Sequence, residues 1–296
     1  MPKIIKKMFP KSMRPKMRKI YHVVKKLVYH VIEESGYYFF DNIELVMGKR
    51  DALTPPRRLV YVGDGDFKGI GNEFFNYFIQ LADLKPYEKI LEVGSGIGRM
   101  AVPLIGYLKD SGCYEGFDIV HYGIRWCQRK ITPRAPHFHF QLADIYNSGY
   151  NPNGKLKALD YRFPYEEGTF DFVFLTSVFT HMLPKDMGHY LAEINRVLKK
   201  GGRCFITYFL LNKGSLDLIN TGASSLNFKH RLEGYEDECH LNDIDIPEAA
   251  VSYSLKYIEE LYKENDLEIV SPVRYGSWCG RKEFLSYQDI ILGVKV

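Results

Sequence analysis

The stretch Ile90-Leu91-Glu92-Val93-Gly94-Ser95-Gly96-Ile97-Gly98-Arg99 decides how the rest of the chain is read. It is an apolar strand carrying one acid, then glycines at alternate positions, then the start of a helical pattern. Glycine permits positive φ and removes the Cβ that would hold a ligand away from the backbone. A helix expected over residues 98–108 would turn its N-terminus toward the same place, which favours a carboxylate or other anion there. A nicotinamide- or flavin-binding loop reads G-x-G-x-x-G, and its third glycine would fall at Arg99. Here the spacing is acid-x-G-x-G-x-G, so a ligand other than those dinucleotides is expected.

Working outward, short β runs alternate with helical stretches. Strands are expected at 89–93, 114–120, 138–143, 170–176, 203–210, 267–275 and 289–296. Helices are expected at 72–83, 98–108, from the second strand to 129, at 185–198 and at 254–264. The 185–198 helix places Met187, Leu191, Ile194 and Leu198 on one face and is expected to end at Gly201-Gly202. This alternation implies an α/β fold, a parallel sheet with helices on both faces. Polar, glycine- and asparagine-rich insertions interrupt it at 145–165 and 211–252, and no internal repeat is present.

The glycine spacing with its preceding Glu92 resembles the first motif of class I S-adenosylmethionine-dependent methyltransferases. Further matches follow in order: Asp118 in Gly116-Phe117-Asp118-Ile119, Asp144 in Leu142-Ala143-Asp144-Ile145, the opening Phe170-Asp171-Phe172-Val173, and Leu198-Lys199-Lys200-Gly201-Gly202-Arg203. The resemblance covers about residues 84–296. It implies a Rossmann-like sheet of seven strands whose last hairpin is antiparallel, with an N-terminal helical extension, and S-adenosyl-L-methionine as cofactor. Residues 1–83 are read as a basic extension plus a cofactor-covering segment, and 84–296 as the methyltransferase domain. The resemblance further implies that Glu92 orients the loop and the methionine amino group, and that Gly94, Gly96 and Gly98 line the methionyl and ribose region. Asp118, twenty residues after Gly98, is placed to bind the ribose hydroxyls. Asp144 is expected to accept from the adenine amino group while the Ile145 N–H faces a ring nitrogen. Phe117 and Ile119 either sandwich the adenine or belong to the strand core. Thr176, and Phe67 in the turn-rich run Gly63–Gly71, complete the expected cofactor contacts. That run, with Leu84-Lys85-Pro86, resembles methyltransferases of bacterial and archaeal glycan assembly.

In such a fold the acceptor sits above the ends of the fourth and fifth strands, where the chain reads Leu175-Thr176-Ser177-Val178-Phe179-Thr180-His181-Met182-Leu183-Pro184. A hydroxyl acceptor must lose its proton as it attacks, and histidine has the pKa to take it. His181 is therefore the candidate general base. Lining of the cofactor pocket and structural capping are the alternatives. Tyr146, Tyr150, Tyr161 and Tyr165 in the first insertion, and Glu233, Glu236, Asp237, Glu238 and His240 in the second, are candidates for a sugar pocket. A solvated acidic loop is the plainer reading of the second group. No strong metal motif is present. The expected reaction is O-methylation of a glycan or glycolipid sugar. N- or C-methylation of a lipid, quinone or small amine, and RNA modification, are the alternatives.

The 296 residues include 46% hydrophobic and 26% charged, which excludes wholesale disorder. No run of about 18 apolar residues suggests a membrane span, and Lys25 and Lys26 interrupt the most apolar N-terminal stretch, so no signal peptide is expected. Five scattered cysteines without a C-x-x-C pair suit a reducing cytoplasm. Residues 1–32 hold ten basic residues and no acid, so a net charge of +4 overall leaves −6 on the remainder. Within this arm Ile20, Val23, Val24, Leu27, Val28 and Val31 recur at helical spacing over 16–34. A basic amphipathic helix at 16–34, in the arm of residues 1–34, suits an anionic membrane surface at the inner face; packing of its apolar stripe on the catalytic domain or a second subunit is the alternative. Nucleic acid is not expected, because the body is acidic and no Asn-Pro-Pro-Tyr motif follows the fourth strand. No pattern sets an oligomeric state.

Overall fold

The computed structural model describes residues 50–296 apart from Val62 and Asp64. The chain divides into two units, Met1–Gly63 and Asp64–Val296. The amphipathic stretch 16–34 lies outside the described residues. In the first unit, the Asp51 carboxylate accepts from the backbone N–H groups of Leu53 and Thr54 and from the Thr54 hydroxyl, ahead of a 3₁₀ turn at Arg57–Leu59.

The second unit opens with helix α1, Phe67–Gln80, whose first turn is capped by the Asp66 carboxylate accepting from Lys68 N–H at 3.1 Å. Strand β1 (Lys89–Val93), a short helix α2 (Ala101–Leu104), β2 (Cys113–Asp118), α3 (His121–Lys130), β3 (Phe138–Leu142), β4 (Phe170–Leu175), α4 (Pro184–Val197) and β5 (Leu198–Tyr208) follow. Then come β6 (Leu210–Leu211), α5 (Lys213–Asn220), β7 (His230–Leu232), β8 (Tyr235–Leu241), β9 (Val251–Ser254), α6 (Leu255–Glu264), β10 (Leu267–Ile269) and β11 (Asp289–Lys295).

Seven strands form one sheet in the order β10-β11-β5-β4-β1-β2-β3. The five strands β1 to β5 are parallel to one another, and β11 runs antiparallel to both β5 and β10. The sheet reverses beside β1, so ligands are expected in the crevice at the carboxyl ends of the strands. β4, Phe-Asp-Phe-Val-Phe-Leu, shows why such a sheet needs cover on both faces. Phe172 and Phe174 meet Phe78 of α1 at ring separations of 5.4 and 4.5 Å, with Phe205 at 5.1 Å from Phe78. Val173 and Leu175 point the other way, into a core with Leu191 and Ile194 of α4. The helix after Asp66, grouped by its sequence with the N-terminal extension, thus packs into the second unit. Asp171 is structural: its carboxylate accepts the Lys89 N–H at 2.9 Å and the Lys199 ammonium at 2.6 Å, tying β4 to both neighbours.

Three expectations need correction. The helix expected over 98–108 is only four residues long, with Pro103, which has no N–H to offer, inside it and Gly106 beyond. The helix expected to end at Gly201-Gly202 ends at Val197, because Leu198 is already extended and pairs with Phe170; the glycines lie within β5, Gly201 at φ +74°. The sequence at 267–275 reads as one strand, yet β10 is three residues, and Arg274 makes only an isolated bridge to Ile290.

The 211–252 insertion is not a plain loop. It contributes to a second sheet, β6-β9-β8-β7, with its own core of Phe209, Leu211, Phe228, Ala250, Trp278 and Cys279. Asp289 joins the two sheets. Fully buried at the start of β11, it accepts from Leu210 N–H, Gly276 N–H and the Trp278 indole, each at 2.7 Å. Burial pushes this carboxyl up to about 6 despite those donors.

Candidate active site

The loop after β1 turns on glycines in the left-handed region: Gly94 at φ +80°, Gly96 at +57° and Gly98 at +80°. Two of them are also closely packed on the side where a Cβ would stand. A Cβ at Gly94 would overlap Val178 Cγ2, and one at Gly98 would overlap Ile131 Cδ1. Three of the loop's N–H groups bind β2 and a fourth closes a turn within the loop. Gly94 and Ser95 donate to Phe117 O at 2.9 and 3.0 Å, Gly96 to the Asp118 carboxylate at 2.7 Å, and Gly98 to Ser95 O at 2.9 Å. The helix behind this loop is the four-residue α2, which begins only at Ala101.

Glu92 lies at the floor, 2% exposed, and the Tyr114 hydroxyl donates to its carboxyl. Burial pushes this acid up to about 8, with the Asp118 charge adding to the effect and Tyr114 opposing it. Asp118, at the end of β2, is 8% exposed and also accepts from Val120 N–H at 2.8 Å. Phe117 packs into the core, 5.0 Å from Phe163 and 5.5 Å from Tyr161, which removes it from an adenine sandwich. Ile119 is partly buried against the same core.

Past β3, Asp144 is half-exposed, with Lys155 3.7 Å away. Ile145 does not offer its N–H as expected: it donates to Ala143 O at 2.8 Å, in a tight reversal that carries the chain into the bridge with Leu156. Phe67, buried at the head of α1, sits beneath the Arg99 guanidinium at 5.8 Å. Gly71 lets α1 approach: a Cβ there would meet Arg99 O at 2.5 Å.

At the end of β4, Thr176 is partly buried and Ser177 adopts φ +58°, a conformation that costs a residue with a side chain. Its N–H donates to Thr207 Oγ1 at 2.8 Å, while Thr207 and Ser177 hydroxyls both donate to Gln288 Oε1, at 2.7 and 3.0 Å. Thr207 and Gln288 were not found at the sequence level; neither belongs to a motif, and their partners are 30 and 111 residues away.

His181 closes the 3₁₀ turn Phe179–His181. Its Nδ1 lies 2.9 Å from Glu248 O, and a carbonyl can only accept, so Nδ1 carries the proton. Nε2 is then left with a lone pair. Burial lowers the imidazole pKa, with the Glu248 and Ala249 backbone opposing, which favours the neutral ring. Tyr150 packs edge-on at 5.8 Å. The Glu248 carboxylate accepts from the Ser148 hydroxyl at 2.6 Å and from Ser148 N–H at 3.2 Å. The two insertions therefore meet over His181, a pairing across 100 residues that no local pattern announces. Of the four candidate tyrosines, Tyr161 and Tyr165 turn to the core, 5.5 Å from Phe117 and 4.9 Å from Phe170. Tyr146 and Tyr150 remain exposed. The acidic group does not join them. It lies on and beside the β7–β8 hairpin, where Glu236 accepts from Gly234 N–H, Asp237 pairs with Arg231 at the surface, and His240 Nε2 lies 3.1 Å from Glu236 O.

The pocket residues suit the sulfonium cofactor. Glu92 is a buried acid beside the loop, the Ser95 hydroxyl is buried without a hydrogen-bond partner, and two glycines admit no Cβ. Residues 91–206 match the family model described as a methyltransferase domain. The ubiquinone/menaquinone biosynthesis C-methyltransferase UbiE of Teredinibacter turnerae is 25% identical over 149 residues, 50% of this chain and 53% of that protein. The chain thus matches about half the length of this curated relative. Among solved structures, the PH0226 protein of Pyrococcus horikoshii is similar in fold, with a TM-score of 0.53 and 16% identity over 80% of this chain and 95% of that one. With the seven-stranded sheet and its antiparallel end, residues 91–206 form a methyltransferase domain of the class I, S-adenosylmethionine-dependent type.

Proposed function

We propose that this chain transfers a methyl group from S-adenosylmethionine to an oxygen of a hydroxylated acceptor, a glycan or glycolipid sugar, with His181 as the general base. One observation carries the reading: a half-buried imidazole in the turn after β4, its Nδ1–H held by Glu248 O, keeps a lone pair on Nε2 to accept a proton. The cofactor supplies an electrophilic methyl on a positively charged sulfur. Glu92, Gly94, Gly96 and Gly98 receive its methionyl part, and Asp118 its ribose. Ile119, Asp144, Ile145, Thr176 and Phe67 border the adenine and the mouth, Ile145 through its side chain. As the acceptor oxygen attacks, His181 Nε2 takes the hydroxyl proton, and the Glu248 carbonyl stabilises the imidazolium through Nδ1–H. The Tyr146 and Tyr150 rings offer apolar faces for a sugar to stack on. Incubation with methyl-labelled S-adenosylmethionine and a panel of sugar, phenol and amine acceptors tests this: the label is expected as a methyl ether. Label found only on carbon or nitrogen overturns it.

A second reading, C-methylation of a quinol, draws on the UbiE similarity and on Leu156, Leu159, Ile244 and Ile246, apolar residues left exposed on the two insertions. In that case the same base takes a phenolic proton and the label appears on ring carbon.

The ten basic residues of 1–32 support attachment to an anionic membrane, near lipid-linked acceptors. No helix of the described residues is long and apolar enough to cross one. Salt-sensitive co-sedimentation with anionic vesicles, lost on deleting residues 1–35, is the expected result. Indifference of the full chain to vesicles overturns it.

A further inference from the structure

Away from the cofactor loop, three potential metal ligands converge at the far end of β2. Cys113 and Glu115 are two residues apart and so share one face of the strand, and Glu115 stands in register with His139 on β3. Their donor atoms lie close together: Cys113 Sγ to Glu115 Oε1 is 3.6 Å, Cys113 Sγ to His139 Nδ1 is 4.0 Å, and His139 Nδ1 to Glu115 Oε1 is 2.7 Å. Cys113 and Glu115 are partly buried and His139 is exposed, so the group opens to solvent on one side.

We propose that Cys113, Glu115 and His139 form a binding site for a thiophilic divalent cation, zinc above all, separate from the methyl-transfer site. A tetrahedral zinc with bonds of about 2.0–2.3 Å needs its ligand atoms about 3.3–3.6 Å apart. The observed separations of 3.6, 4.0 and 2.7 Å reach that geometry with side-chain shifts of roughly half an ångström. One thiolate, one imidazole and one carboxylate select zinc or cobalt over magnesium or calcium, which prefer all-oxygen shells. The three ligands leave a fourth position for water. A separate observation points to the same place. The buried Tyr165 hydroxyl lies within electrostatic reach of both Glu115 and Cys113. It is the kind of neighbour that holds a metal-bound water.

Without a cation the thiol stays protonated. Burial and the Glu115 carboxylate push it up to about 11, with Lys89 opposing. Binding therefore displaces one proton from sulfur and breaks the His139–Glu115 contact. Cys113 begins β2 and Asp118 ends it, so the site stands about 17 Å from the ribose-binding end at 3.3 Å per residue. It also bridges β2 to β3, the outermost strand of the large sheet. A bound cation would pin that edge.

Cobalt(II) is the probe. Added to the full-length reduced protein, it is expected to produce a thiolate-to-cobalt charge-transfer band and the strong visible bands of tetrahedral cobalt, saturating at one equivalent and bleached by zinc. Cys113→Ser should abolish the charge-transfer band. His139→Ala should weaken cobalt binding roughly tenfold or more, since losing a direct ligand costs at least as much as losing its outer neighbour. Zinc should raise the melting temperature of the wild type and not of either variant. His139 is exposed, so that variant is expected to fold, and far-UV circular dichroism without metal checks both. Absence of a thiolate–cobalt band in the wild type, or its survival in Cys113→Ser, overturns the site.

Discussion

The cofactor half of the catalytic unit, from β1 to the turn after β3, and the acceptor half, built on the two insertions, reach their geometry by different routes. In the first, each group is held by a neighbour in the adjacent strand. The loop after β1 hangs on Phe117 O and the Asp118 carboxylate, and both belong to the strand paired with β1. In the second, His181, Glu248 and Ser148 come from three separated segments, and the contacts that align them span 67 and 100 residues. The lesson is about tolerance. Where strand register sets a site, the backbone carries it, and one side chain alters affinity. Where long-range side-chain contacts set it, one substitution can disconnect the chemistry while leaving the cofactor in place.

The sharpest test of that difference is His181→Ala. Turnover is expected to fall by about 10²–10⁴, the range for a lost general base, with S-adenosylmethionine affinity by calorimetry changed less than about threefold. A comparable loss of cofactor affinity would put His181 in the pocket wall and erase the contrast. Next comes Asp118→Ala, for which cofactor affinity should drop at least about tenfold, since charge-assisted bonds contribute about 1.5–3 kcal/mol. Asp118→Asn should not rescue it, because an amide N–H would then confront the Gly96 or Val120 N–H. Unchanged affinity in both variants would break the assignment of the ribose.

A third test concerns Glu92 and pH. Its carboxyl is pushed from 4.5 up to about 8, so between those values the folded protein holds a proton that the unfolded chain has released. Stability of the cofactor-free protein should therefore fall as pH rises, by at most about 1.4 kcal/mol per pH unit, until about pH 8. Asp289, pushed up to about 6, gives the same sign only below that value. His181, lowered from 6.5, gives the opposite sign, stability rising with pH up to about 6.5. Denaturant titrations of wild type and Glu92→Gln between pH 6.5 and 8 isolate the Glu92 contribution. Parallel profiles for the two proteins would mean that Glu92 is ionised in the fold.

The smallest effect is expected from Ser148→Ala, which cuts the link between the insertions. The acceptor KM should rise by roughly 3–10-fold, the cost of about one solvent-exposed hydrogen bond, with cofactor affinity untouched. An unchanged KM would mean that the insertions meet over His181 without shaping the acceptor pocket.

Much of the cofactor half was legible in the residues themselves. β1 was read with its observed bounds, and the acids at the ends of β1 and β2 fall where their spacing put them, because strand period and glycine conformation are local properties. Even there, two details escaped: the Ile145 N–H is taken by Ala143 O, and the loop's donors face inward, both being matters of how neighbouring backbone is paired. The acceptor half was legible only in part. His181 could be singled out from residue type and position, but its proton could not be placed, since that depends on Glu248 O arriving from the far side of the second insertion. Tyr161 and Tyr165 looked equivalent to Tyr146 and Tyr150 until packing sent one pair inward.

The sequence by itself determined the class of sheet, the succession of its parallel strands along the chain, the place of the cofactor loop and the basic arm of residues 1–32, all of which rest on short-range patterns of apolar residues, glycines and charge. Tertiary structure alone decided the second sheet, the buried Asp289 that fastens it, the Ser177–Thr207–Gln288 network and the tautomer of His181. The physical reason is the same in each case. A hydrogen bond between residues far apart in the chain leaves no local period or composition behind, and it forms only when the packed elements bring its donor to its acceptor.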